Sequence, residues 1–119
     1  MKIYLAHSSG YDFQPSLYEP LKQTLAQNHA IFFPHDPENV GTKSKNVIEQ
    51  SDVVLAEVTY PSTGQGIELG WASAAGKPIV CIHAQGTKVS SSLSFICDTF
   101  IAYTSPIDMT NKLADYFKK

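Results

Sequence analysis

The chain has 119 residues, 43% hydrophobic and 17% charged, which suits one compact domain and leaves too little length for a second. Nine basic and eleven acidic residues give a net charge of -2, so no field covers the molecule that would draw nucleic acid or an anionic membrane. All nine cations are lysine; without arginine, a bound anion must rely on backbone N–H groups, hydroxyls or Lys.

The first strand is predicted over residues 2–6. It is followed at once by His7-Ser8-Ser9-Gly10, so the apolar stretch is shorter than the ~7–15 residues of a secretory leader, and a cytoplasmic protein is expected. Ser16 and Glu19 form a capping-box pair at the head of a helix whose apolar residues Leu17, Tyr18, Leu21 and Leu25 recur at helical spacing, with Pro20 tolerated in the first turn. A strand over 30–33 and a weaker helix over about 42–50 come next, then a strand over 53–58. A third helix is expected over 66–75, closed by Gly76 with Pro78 beyond it. Strands over 78–83 and 99–103 precede a last helix that begins near Asp108, places Met109, Leu113 and Phe117 four apart, and ends in Lys118-Lys119. The longest apolar runs are strand-sized, far below the ~20 residues of a transmembrane helix. Cys81 and Cys97 lack CxxC spacing and read as buried reduced thiols; no metal site is expected. Five strands alternating with helices predict a single domain over 1–119: a doubly wound, flavodoxin-like α/β three-layer sandwich on a five-stranded parallel sheet, with ligands at the carboxyl ends of the strands.

Three loops follow strands and should meet in one crevice: those beginning at His7, at His35 and at Tyr60. The third, Tyr60-Pro61-Ser62-Thr63-Gly64-Gln65-Gly66, precedes a helix, so it reads either as a nest of N–H groups for a small anion or as a structural turn. It is neither a P-loop nor a dinucleotide fingerprint. Glu68 falls in or near the first helical turn, where peptide dipoles favour the ionised carboxylate. That group either complements the helix end or attacks a carbon of oxocarbenium character.

The run from Ser51 through Pro61-Ser62-Thr63-Gly64-Gln65-Gly66-Ile67-Glu68 to Gly70, continued by Trp71-Ala72 and Gly76-Lys77-Pro78, resembles the nucleoside 2-deoxyribosyltransferase family, and within it the 2'-deoxynucleoside 5'-monophosphate N-hydrolases. The likeness extends to residues 2–6 and to Leu17-Tyr18-Glu19. By resemblance, Glu68 matches the nucleophile that takes C1' of the sugar as an ester, and Tyr4 matches the tyrosine that orients it. Transferases of the family that act on free nucleosides carry Asp six residues before the nucleophile; here Ser62 stands there, and a hydroxyl can donate to a 5'-phosphate that a carboxylate would repel. The resemblance implies a phosphate cradle of Ser62, Gly64 and Gly66, joined by a serine of a neighbouring subunit that falls at Ser92 or Ser94. It also implies a homodimer or higher homo-oligomer with shared sites. The pattern breaks at Ser44, where the family carries an acid that assists the departing base; Asp36 or Glu38 is a candidate replacement.

His7 and Ser8 are candidate contacts for base or phosphate, the alternative for His7 being a loop histidine with a backbone partner. His35-Asp36 reads as a solvated turn, Asp52 as the start of a strand, and Trp71, Phe95 and Phe100 as core or subunit interface before base-stacking wall. The expected function is hydrolysis of the base–sugar bond of a (deoxy)nucleoside 5'-monophosphate without metal or organic cofactor. Base exchange by a 2-deoxyribosyltransferase and a catalytically impaired nucleotide-binding module are the alternatives.

Overall fold

In the computed structural model, which describes residues 1–97 and 99–118, five strands form one all-parallel sheet in the order β2-β1-β3-β4-β5. The strands are β1 (Lys2–His7), β2 (Ala30–Phe32), β3 (Val53–Glu57), β4 (Ile79–Ala84) and β5 (Thr99–Tyr103). The helices are α1 (Glu19–Gln23), α2 (Ser44–Gln50), α3 (Thr63–Ala74) and α4 (Pro106–Tyr116). This is the flavodoxin-like order expected from the alternating pattern, and it puts the switch point between β1 and β3, where Tyr4 pairs with Val54 and His7 with Glu57.

Period-two alternation along the strands divides the core into two layers. Ile3, Leu5, Val53, Leu55, Val80 and Ile82 pack against Leu17, Leu21, Met109 and Leu113 of the α1/α4 layer. Tyr4, Ala6, Val54, Ala56 and Cys81 pack against Ile48, Leu69 and Ala72 of the α2/α3 layer. Tyr4 therefore points toward α3 because its neighbours Ile3 and Leu5 point the other way. Cys81 and Cys97 are buried free thiols, and Cys97 Sγ donates to the Ile79 carbonyl at 2.9 Å.

Two helix starts differ from expectation. The first helical segment opens as a π-turn over Gln14–Tyr18. Ser16 does not cap it; its hydroxyl donates back to the Asp12 carbonyl at 2.9 Å. Pro20 supplies the reason, since it has no N–H for the Ser16 carbonyl and its ring would crowd that group, and the wider turn relieves both. The third helix begins at Thr63 instead of Gly66, with Ser62 as N-cap accepting from Gln65 N–H at 3.3 Å. Gly64 and Gly66 are helical; the positive-φ glycines are Gly41, Gly76 and Gly86. Ser62 outweighs the two glycines because a cap satisfies a helix-end donor at the point where the chain turns. The last helix starts at Pro106 under the Ser105 cap, and Lys119 lies outside the described residues. Among the described residues no helix is long and apolar enough to cross a membrane.

Candidate active site

On α3, Gly64, Ile67, Glu68 and Trp71 share one face at helical spacing and border a cleft of about 480 Å³. The opposite wall is the start of α2: Lys43, Ser44 and Lys45. Behind Glu68, on β1, the fully buried Tyr4, stacked on Phe32 at 5.5 Å, donates its hydroxyl to Glu68 Oε2 at 2.5 Å. Burial pushes the Tyr4 phenol far above its ordinary range, and its bond to Glu68 adds to the shift, so Tyr4 holds its proton and acts as a donor.

Glu68 is half-buried, and desolvation raises its pKa above 4.5. The hydrogen bonds from Tyr4 and Ser44 and the nearby His35 act in the other direction. The expectation that the helix end would depress this carboxylate is therefore corrected. With the helix starting at Thr63, Glu68 lies in the second turn, past the strongest part of the dipole field, and loss of water dominates.

The predicted phosphate group divides around α3. Ser62, Gly66 and Ser92 border a second cleft of about 230 Å³ on the other side of the helix, together with Ser90 and Leu93, while Gly64 borders the Glu68 cleft. The Gly66 N–H is spent on the Ser62 carbonyl at 3.1 Å, which removes it from the expected anion nest. Thr63 and Gly64 lie in the first turn, where N–H groups have no intrahelical acceptor. Ser94 donates to the Ser91 carbonyl at 2.8 Å, and Ser92 borders the second cleft of its own subunit.

His7 and Ser8 are buried and do not border the Glu68 cleft. His7 Nδ1 is 2.8 Å from the Ser8 carbonyl, which only accepts, so this nitrogen carries the proton; Nε2, at 2.7 Å, accepts from the Tyr18 hydroxyl. Burial pushes His7 down to about 4. Tyr18 in turn accepts from the His35 backbone N–H at 3.0 Å, and the His35 ring lies 5.2 Å from those of both His7 and Phe13.

Sequence reasoning gave no site role to three side chains that the structure brings forward. Ser44 is an active neighbour of the Tyr4–Glu68 pair, stabilising the ionised form of both. His35, read as a solvated turn residue, bears on Glu68 electrostatically. Glu57, 1% exposed, accepts from Thr59 N–H at 2.6 Å, from Thr59 Oγ1 at 2.7 Å and from the Tyr103 hydroxyl, and its carbonyl accepts from Gln65 Nε2 at 2.5 Å, which pins the start of α3 to the sheet. A carboxylate ending a buried strand was the available signal. Asp36 is held by Lys22 at 2.8 Å, and neither it nor Glu38 borders the Glu68 cleft. Asp52 starts its strand as expected, accepting from Lys2 N–H at 2.7 Å. Trp71, Phe95 and Phe100 are all at the surface. Among the described residues, no group of three or more His, Cys, Asp or Glu is placed to hold a metal.

Fold and site together define an α/β protein in which a tyrosine of the first strand of a parallel sheet holds a carboxylate of the helix packed over it. The chain belongs to the nucleoside 2-deoxyribosyltransferase family, whose sequence profile matches residues 3–112. It is 53% identical over 49 residues to a rat 5-hydroxymethyl-dUMP N-hydrolase, covering 40% of this chain and 30% of that one. It is 36% identical over 81 residues to a Methanosarcina mazei sequence named as a candidate 2'-deoxynucleoside 5'-phosphate N-hydrolase, covering 59% of this chain and 50% of that one. The chain thus spans half or less of the length of these relatives. In fold it is similar to a Clostridium botulinum CMP N-glycosidase, with a TM-score of 0.75 at 21% identity, covering 98% of this chain and 100% of the other. It also resembles a 2-deoxyribosyltransferase from Bacillus psychrosaccharolyticus, with a TM-score of 0.69 at 21% identity, covering 93% and 91%.

Proposed function

We propose that the chain hydrolyses the base–sugar bond of a (deoxy)nucleoside 5'-monophosphate, with Glu68 as nucleophile. The observation that carries this is the 2.5 Å bond from Tyr4 to a half-buried Glu68 beside an open cleft. Tyr4 fixes one carboxylate oxygen, which leaves the group oriented for attack on C1', and the sugar ester that forms is resolved by water. The names of the sequence relatives support a nucleotide substrate.

The 5'-phosphate is assigned to the start of α3, with the Thr63 and Gly64 N–H groups and the Ser62 hydroxyl as donors. Glycine at 64 and 66 supports this: a Cβ at either position would meet open space and φ is ordinary, so the fold does not require glycine there, yet it weakens a helix. A ligand approaching the backbone closely would require it. On this reading Ser92 of a neighbouring subunit closes the cradle, Gly66 keeps the far side of the helix start bare, and His7 and Ser8 lie behind the site, with the His7 ring against His35. No metal or organic cofactor takes part in this scheme.

The same proposal takes the protein to work in the cytoplasm as a homodimer or higher homo-oligomer with shared sites. Phe95, 88% exposed on the same short helical turn as Ser92, supports a contact there. A nucleotide-binding module without turnover is the second reading, favoured by Ser44 standing beside Glu68 where the resembled family has an acid. Incubating purified protein with nucleoside monophosphates and following free base separates the two: the proposal expects release by wild type and none by Glu68→Ala, whereas tight binding without release by either protein would support the module. Adding a free purine tests base exchange, which would yield a new nucleotide at the expense of sugar phosphate.

A further inference from the structure

Among the described residues, the charged groups bordering the active cleft besides Glu68 are Lys43 and Lys45, with Ser44 between them. Both lysines are exposed, and neither has an ion-pair partner among the described residues. Both also stand at the unfavourable end of a helix. Lys43 is the N-cap of α2 and makes no capping hydrogen bond, and Lys45 is second in its first turn. The positive end of the peptide dipoles repels cations there, and a cap favours Ser, Thr, Asp or Asn. Residues that break a local rule in this way are expected at functional positions.

A departing base is assisted either by protonation or by stabilisation as an anion. Among the described residues no second carboxyl group borders this cleft, and a serine hydroxyl is not a useful acid near neutral pH. On the reading of Glu68 as nucleophile, we propose that Lys43 and Lys45 stabilise the base as it leaves in anionic form, so that the substrates are nucleotides of 2-oxopyrimidines of the uracil type in preference to purines. A Glu68 oxygen forms its bond to C1' as the C1'–N1 bond breaks. The electron pair stays on N1 and spreads onto O2 and O4, where the ammonium groups donate. One water then completes the balance: its hydroxyl goes to C1', freeing the Glu68 carboxylate, and its proton goes to the base. Preorganised cations at the site of developing charge lower the barrier because their interaction strengthens as the bond breaks.

The test measures kcat and KM for dUMP, 5-fluoro-dUMP and dAMP with wild type, Lys43→Met/Lys45→Met and Glu68→Gln. Methionine is uncharged, unbranched and one atom shorter than lysine, and at exposed positions it leaves folding intact. Wild type should rank 5-fluoro-dUMP above dUMP and dUMP far above dAMP. The double methionine variant should lose about 10–10²-fold in kcat on dUMP and distinctly less on 5-fluoro-dUMP, whose fluorine already stabilises the anion. An equal loss on both uracil substrates, a loss confined to KM as expected of lysines that grip phosphate, or faster turnover of dAMP would overturn the inference. Absence of Glu68-dependent base release from all three nucleotides would overturn the nucleophile itself, and this inference with it.

Discussion

Two tyrosines each donate to a titratable partner, on opposite faces of the sheet and with opposite outcomes. On the α1/α4 side, Tyr18 donates to His7, whose ring is packed among Tyr18, Phe13 and His35 and whose second nitrogen is tied to the Ser8 carbonyl. On the α2/α3 side, Tyr4 donates to Glu68, which borders a cleft of about 480 Å³. Both partners are pushed toward their neutral forms by burial. His7 has no remaining nitrogen for a ligand, so its bond serves to fix the loop after β1. Glu68 keeps contact with open space, so its bond can serve to aim a reactive group.

Substitutions should separate the two pairs, the largest effect falling on the open one. Glu68→Gln keeps the shape of the side chain and removes the nucleophile; base release should fall by about 10⁴-fold or more with the fold retained, as read by product chromatography and circular dichroism. Tyr4→Phe should lower kcat by about 10²-fold. It should also move the acidic limb of the kcat profile to higher pH, because the Tyr4 hydrogen bond holds the Glu68 pKa down. His7→Ala should act chiefly on stability, costing about 2–4 kcal/mol in urea unfolding through the cavity and the stranded Tyr18 hydroxyl, with a smaller kcat loss than Tyr4→Phe. Ser62→Ala should cost about 1 kcal/mol as a lost cap, and a KM increase for nucleotide larger than that for nucleoside would mark the hydroxyl as a phosphate contact.

The pairs also have opposite signs in pH-dependent stability. His7 falls from 6.5 to about 4 on folding, so the unfolded chain binds more protons in that window; the stability it confers is complete above pH 6.5 and is lost as pH drops toward 4, by roughly 3 kcal/mol. Glu68, raised above 4.5, stabilises at low pH and loses that contribution as pH climbs through its folded value. Unfolding curves between pH 4 and 6.5 should flatten in His7→Ala, with Glu68→Gln removing the opposing trend.

The strands were legible in the sequence because buried parallel strands are short β-branched runs, whereas Tyr4 was marked by the family resemblance alone. Gly76 was legible as a helix stop, and it has φ 72° as that role requires. The start of α3 was misread because glycines were weighed as loop formers, whereas the cap at Ser62 carries the chain into the helix three residues earlier. The sign of the Glu68 shift depends on burial by elements distant in sequence, which local spacing does not report. The same holds for Tyr18 on His7, eleven residues apart, and for Tyr103 on Glu57, forty-six apart.

The most direct test of the central claim is to quench the enzyme during turnover of a nucleoside monophosphate at low pH, digest it, and weigh the peptide that contains Glu68. A mass increase equal to one sugar phosphate, located on Glu68 by fragmentation and absent when substrate is omitted, is the result expected. Steady base release with that peptide unmodified, or with activity persisting in Glu68→Gln, would contradict the account.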